Sequence, residues 1–214
     1  MESNAFQKYK VLEDSFFKIN EFIGMPGCFL DRDGVLIKDK HYIKKKEDVE
    51  LESGVKVFLE NLKDNKIPVV IVTNQSGIAR GITSWEDYYH VTARMLELIG
   101  SNSPIIGIFA NSYIRCSKNN WRKPNPYMIN YASKIFGIRK SNSIMIGDRC
   151  SDLLAGSRAR IGTLIHLETG HGRKERRLVK SYSDKDRFIH NDNFSKLYFF
   201  KNLSEIPVKI FKNK

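Results

Sequence analysis

Five apolar runs of strand length, separated by stretches of helix length, constrain this chain more than any other feature: GCFLD (27–31), PVVIVTN (68–74), PIIGIFA (104–110), SIMIGD (143–148) and GTLIHL (162–167). Runs this continuous and rich in β-branched residues predict strands buried on both faces, as in a parallel sheet. The intervening segments read as helices. SGVKVFLENLKDN (53–65) places Val57, Leu59 and Leu62 near one face, and SWEDYYHVTARMLELIG (84–100) opens on a Ser cap followed by acidic residues. NPYMINYASKIFG (125–137) and CSDLLAGSRAR (150–160) fill the remaining gaps. The alternation predicts an α/β domain of three layers, with a central, mostly parallel sheet, right-handed crossovers and helices on both faces.

The length of 214 residues suits one domain with appendages. No apolar run approaches the roughly 18 residues of a membrane span, and the amino terminus lacks the order of a secretory signal, so a cytoplasmic protein without membrane contact is expected. Three dispersed cysteines, Cys28, Cys116 and Cys150, make neither a disulfide framework nor a paired metal-ligand spacing. The formal charge of +12 raises anionic partners, and from His171 onward 12 Lys or Arg stand against 5 Asp or Glu. Three segments follow: residues 1–26 as an extension, expected to be helical from Val11, Leu12, Phe16, Ile19 and Ile23; residues 27–170 as the domain proper; and residues 171–214 as a basic extension packed on it or appended to it.

Open α/β sheets bind ligands at the carboxyl ends of their strands. Three of the five predicted ends carry polar clusters. In DRDG, Asp31 and Asp33 lie two apart and address one side if the strand geometry persists. Alone, the stretch reads equally well as an Asx-rich turn. Two close carboxylates repel unless a cation or shared proton intervenes, and magnesium, with Asp148 as a third ligand, resolves the conflict. VTNQSGIARG (72–81) turns from strand to helix with donors suited to an anion, Thr73 foremost, although Thr73 and Asn74 could merely cap the helix. WRKPNP supplies Arg122 and Lys123 for phosphate or sugar oxygens; on its own it is a generic basic loop. Together these parts describe a phosphoryl-transfer site able to split its reaction through an aspartyl-phosphate. His41, in the loop after the first strand, is weighed as a surface residue before a substrate contact, and His90, His166 and His171 as structural ones.

In this order and at these strand ends, Asp31-Arg32-Asp33-Gly34-Val35-Leu36, Thr73, Lys123, and Asp148 with Asp152 in GDRCSD resemble the four motifs of the haloacid dehalogenase-like phosphatases, across about 140 residues. FLDRDGVL, VTNQSGIARG, RKPNP and GDRCSDLLAG are most similar to the small branch with a minimal cap that includes the heptose-bisphosphate and histidinol-phosphate phosphatases. The resemblance implies a Rossmann-like fold of this superfamily and a magnesium-dependent phosphoric monoester hydrolase. Asp31 is then the nucleophile and Asp33 the acid and base. Asp31, Asp33 through its carbonyl, and Asp148 hold magnesium. Thr73 and Lys123 hold the phosphoryl group, Asp152 supports Lys123 or the metal, and Asn74, Gln75, Ser76 and Arg122 contact substrate. Many members of the branch carry a Cys and His zinc loop before RKP; here NSYIRCSKNN keeps only Cys116, so no zinc is expected. The implied substrate is a small phosphorylated sugar, D-glycero-D-manno-heptose 1,7-bisphosphate before others, which would place the enzyme in lipopolysaccharide precursor synthesis. Histidinol phosphate and a polynucleotide 3'-phosphate are the alternatives, the latter raised by the basic tail. A binding protein that kept the fold without activity is the alternative outside enzymes.

Overall fold

The computed structural model describes residues 6–9, 22–114 and 121–212, with backbone alone at 6–9 and 212. The strands are β1 (Phe6–Tyr9), β2 (Cys28–Leu30), β3 (Val69–Asn74), β4 (Ile105–Asn111), β5 (Ile144–Gly147), β6 (Thr163–Leu167), β7 (Ser183–Asp184), β8 (Arg187–His190) and β9 (Asn193–Phe200). They form a single sheet in the order β1-β4-β3-β2-β5-β6-β9-β8-β7. The six central strands run parallel, while β1 at one edge and β8 and β7 at the other are antiparallel to their neighbours.

Strand alternation sorts the apolar residues into two cores. Cys28, Leu30, Val69, Ile71, Ile144, Ile146, Ile165 and Leu167 face one side, where α1 (Val55–Asp64) and α3 (Trp85–Ile99) pack. Phe29, Val70, Val72, Met145 and Leu164 face the other, covered by α4 (Tyr127–Phe136), α5 (Cys150–Arg158) and α6 (Gly172–Ser181). Short helices α2 (Ser76–Ala79) and α7 (Lys209–Lys212) complete the set. The expected three-layer α/β architecture is therefore observed. Ser84 caps α3 reciprocally with Asp87, as the sequence pattern predicts.

Two expectations need correction, and a third takes one of its stated forms. In α1 the buried face is Val55, Phe58, Leu59 and Leu62, and Val57 is 62% exposed. The helical period runs through positions 55, 58, 59 and 62, so Val57 falls outside the apolar stripe. At the amino terminus Phe6–Tyr9 is a strand paired with β4, and Ile23 stands in a turn; Val11, Leu12, Phe16 and Ile19 lie outside the described residues. The tail, expected as an extension packed on the domain or appended to it, joins the sheet itself: β9 pairs with β6, and Val179, Phe188 and Leu197 enter the second core. Its period-two pattern, with Ser195 and Leu197 inward and Phe194, Lys196 and Tyr198 outward, is obscured in the sequence because a polar residue points in and two aromatics point out.

Between Asp33 and Thr73 lie only a loop, a single 3-10 turn and α1, so no separate cap domain stands over the strand ends there. Lys38 and Lys40 both pair with Glu50, closing the loop on itself. No helix among the described residues is long and apolar enough to cross a membrane.

Candidate active site

β2 lies between β3 and β5, both parallel to it, so the three strands deliver Asp31, Thr73 and Asp148 to one edge of the sheet. Asp31 N–H donates to Ile146 O at 3.1 Å, extending the β2–β5 pairing one residue past Leu30. The chain then turns: the N–H groups of Leu36 and Ile37 return to Arg32 O at 2.9 and 3.1 Å. Gly34 occupies the left-handed region at φ 81°, and a Cβ there would stand 2.5 Å from Asp148 Oδ2. Gly170, also left-handed, flanks the same oxygen, and His171 N–H donates to it at 2.7 Å. Asp148 is thus cradled by backbone that only glycine permits. Behind it, His166 Nε2 donates to Asp148 O at 2.9 Å while its Nδ1 accepts from Arg176 at 3.1 Å. Burial, reinforced by Arg176, pulls His166 down to about 4, so it serves this bridge as a neutral ring.

Lys123, 2% exposed, places Nζ 3.0 Å from Asp31 Oδ1 and 2.7 Å from Asp152 Oδ1. Its main chain is gripped by Asn74, whose Oδ1 accepts from Lys123 N at 3.0 Å and whose Nδ2 donates to Lys123 O at 3.1 Å. Asp152, in the first turn of α5, also accepts from Arg149 N at 3.0 Å. Burial disfavours the Lys123 charge, but Asp152 and Asp31 outweigh it and hold the ammonium above its ordinary range. For Asp31, burial is the largest influence; Lys123 opposes it, Asp152 and Asp33 add to it, and the carboxyl rises to about 7. Asp148 is likewise raised well above its ordinary value, by burial first and then by Asp152 and Asp31.

Asp31, Asp148 and Asp152 offer carboxylate oxygens within 4.8 Å of one another, against one lysine. Asp148 Oδ1 is buried with no hydrogen-bond partner among the described residues. A buried anionic oxygen left without a donor is costly, and a cation relieves it. The donor set, all oxygen, is the kind a hard divalent ion takes. These residues therefore fit a metal ion.

Asp33, expected to reach a metal through its main-chain carbonyl, directs its side chain elsewhere. Its carboxylate does not join that cluster; it accepts from Arg32 Nε and Nη2 at 3.2 and 3.1 Å and from Gln75 Nε2 at 2.9 Å, with Thr73 Oγ1 3.5 Å away. Gln75 also donates to Thr73 Oγ1 at 2.9 Å. Asn74 and Gln75, expected on the substrate, thus have their amides engaged in holding Lys123, Thr73 and Asp33, because the strand end packs them against those groups.

A cavity of about 720 Å³ opens at this edge of the sheet; Asp31, Asp33, Asn74, Gln75, Ser76, Arg122 and Lys123 contribute to its wall, whereas Thr73 and Asp148 are buried and do not line it. Sequence reasoning missed several of its groups. Asp39 and Tyr42 come from the loop after β2, Arg80 follows α2, and Arg149, His171 and Glu175 come from the starts of α5 and α6. Tyr42 lies against Gly77 and accepts from Arg80 at 3.2 Å, while His41 meets His171 edge to face at 5.8 Å. His171, set aside as structural, therefore sits in the site. Its position directly after Gly170, in the turn that follows β6, was the available signal. Cys116 lies outside the described residues; Cys28 and Cys150 are buried.

Comparison with known proteins gives the same direction. The family model described as polynucleotide kinase 3 phosphatase matches residues 28–197. A D-glycero-alpha-D-manno-heptose-1,7-bisphosphate 7-phosphatase of Photorhabdus laumondii is 38% identical over 156 residues, 69% of this chain and 85% of that protein. The protein of the same name from Campylobacter jejuni is 35% identical over 187 residues, covering 87% of this chain and 95% of the other. Among solved structures, a candidate HAD-like phosphatase of Mesorhizobium loti superposes with a TM-score of 0.77 at 23% identity, over 99% of this chain and 96% of that one. D,D-heptose 1,7-bisphosphate phosphatase of B. bronchiseptica, in complex with magnesium and phosphate, gives 0.72 at 20% identity, over 89% of this chain and all of the other.

Proposed function

The chain belongs to the haloacid dehalogenase-like phosphatases, and on that premise we propose that it removes the 7-phosphate of D-glycero-D-manno-heptose 1,7-bisphosphate through an aspartyl-phosphate on Asp31, with magnesium as its metal. The observation that carries the reading is the buried group of Asp31, Lys123, Asp152 and Asp148 at the carboxyl ends of β2 and β5. The relatives that are 35% and 38% identical to the chain over the aligned residues supply the substrate.

Asp31, fixed through Oδ1 by Arg32 N–H at 2.7 Å and by Lys123, attacks phosphorus as the bond to the leaving oxygen breaks. Asp33, on the cavity wall, gives that oxygen its proton and then takes one from the water that cleaves the aspartyl-phosphate, releasing inorganic phosphate. Lys123 and Thr73 hold the phosphoryl oxygens, and Asp152 and Asn74 hold Lys123. Asp31 and Asp148 would hold magnesium, joined by the Asp33 carbonyl and with Asp152 close by; when bound, the ion neutralises phosphoryl charge. Arg122, Arg80 and Arg149 provide cationic walls for the rest of a twice-phosphorylated substrate.

Phosphate release with magnesium, measured on the heptose bisphosphate, histidinol phosphate and a 3'-phosphorylated oligonucleotide, tests the reading. Preference for the heptose together with loss of all turnover in Asp31→Asn is expected, as is dependence on magnesium and indifference to a zinc chelator. Full activity in Asp31→Asn would overturn the chemistry, and stoichiometric zinc in the purified protein would contradict the metal. A preference for the oligonucleotide would replace the substrate. That second reading draws on the outward face of β9, where exposed Phe194 and Tyr198 alternate with Lys196, the interleaving of aromatic and basic groups that single-stranded nucleic acid favours.

A further inference from the structure

The geometry points to Arg32, the residue between the two aspartates, as a positioning residue that sets the direction of the Asp33 carboxylate and anchors it to helix α3. The inference rests on the proposed role of Asp33 in proton transfer.

Arg32 is 3% exposed although it follows the strand end directly. Its side chain folds back on the next residue: Nε lies 3.2 Å from Asp33 Oδ2 and Nη2 3.1 Å from Asp33 Oδ1, a side-on fork that engages both carboxylate oxygens. The remaining nitrogen, Nη1, donates to Thr92 Oγ1 at 3.1 Å, and the guanidinium carbon lies 5.1 Å from the centre of the Tyr88 ring. Thr92 and Tyr88 are both buried on α3. The fork is therefore held from behind by a helix that supplies no other group to the site. Gln75 Nε2 reaches Asp33 Oδ2 from the cavity side at 2.9 Å.

This arrangement suits a group that must meet the leaving oxygen at a fixed angle. Each carboxylate oxygen has two acceptor positions, so the fork orients Asp33 and still leaves positions for a proton. Guanidinium does not give up its own proton at working pH, so Arg32 fixes Asp33 without competing for the proton it transfers. A lysine offers one point charge and no fork. The competing explanation is that Asp33 merely neutralises a buried arginine.

The two explanations separate by leaving group. Proton donation matters for a poor leaving group such as phenolate and little for an acidic one such as 2,4-dinitrophenolate. The experiment measures kcat/KM, which reports the steps up to phosphoryl transfer, across substituted phenyl phosphates for wild type, Arg32→Lys and Thr92→Val. In Arg32→Lys we expect a loss of about 10- to 100-fold on phenyl phosphate, a part of what proton transfer by a placed side chain supplies, and little change on the dinitrophenyl ester. Thr92→Val is expected to give the same pattern at smaller size, and it carries the comparison should Arg32→Lys not fold. Equal losses across the series, or no loss, would overturn the inference. Asp31→Asn in the same series keeps the premises apart: if it turns over any ester the phosphatase reading falls, whereas an inactive Asp31→Asn beside a flat Arg32 profile removes only the role of Arg32.

Discussion

Asp39 and His171 meet across the mouth of the cavity, with Asp39 Oδ2 2.9 Å from His171 Nδ1 and Arg149 Nη2 3.6 Å from the same oxygen. The contact ties the loop after β2 to the start of α6. Burial, then Arg149, holds the His171 ring below its ordinary range, so near neutral pH the link is a hydrogen bond more than an ion pair. Asp39→Ala removes a contact worth about 1 kcal/mol. Faster hydrogen exchange in the loop and a KM raised roughly fivefold, with kcat little changed, are expected.

Lys123 is buried between two carboxylates, and removing one partner of a buried pair leaves an uncompensated charge. Lys123→Met should lower stability by about 3 kcal/mol near neutral pH, measured by denaturant unfolding. The loss should shrink as pH falls below about 7, where a protonated Asp31 no longer needs the ammonium. Turnover should fall by at least about 100-fold, since a donor to the transferring phosphoryl is gone.

The raised Asp31 gives a signed pH dependence. Its folded value of about 7 lies above the ordinary 3.8, so in the metal-free protein the native state holds this proton more tightly than the unfolded chain. The resulting stabilisation is complete below the unfolded value and is lost as pH rises through about 7. Melting curves between about pH 5 and pH 8 without metal should therefore fall with pH more steeply in wild type than in Asp31→Asn. Magnesium should raise the melting temperature more at the higher pH, because protons no longer compete for the carboxylates.

At Gly34 a side chain meets both a left-handed backbone and the Asp148 carboxylate. Gly34→Ala should cost about 1–2 kcal/mol from conformation alone. It should also displace Asp148, so the magnesium concentration giving half activity should rise about tenfold or more, while Gly81→Ala, left-handed at an open turn, should alter stability without altering that midpoint.

The core of this protein was legible in its sequence because its signal is local. Continuous apolar runs name β2 to β6, their alternation divides Phe29 from Leu30 and Val70 from Ile71 between two faces, and a parallel sheet sends Asp31, Thr73 and Asp148 to one edge whatever the loops do. The edges were less legible. β1 and β8 are four residues long and β7 two, and β9 mixes Asn193, Ser195 and Lys196 with aromatics on both faces, so their pairing depends on neighbours that the sequence does not name.

What a pattern of residue types determined was therefore the fold and the chemical inventory of the site: an aspartate pair, a threonine, a lysine and a further aspartate at strand ends. What only the tertiary structure decided was how that inventory is divided. Asp152 joins Asp31 and Asp148 around Lys123, Asp33 turns instead to Arg32 and Gln75, and Asp39 reaches His171. Each of those choices is made by packing between segments distant in the chain or by a rotamer, and neither leaves a periodic trace in the order of the amino acids.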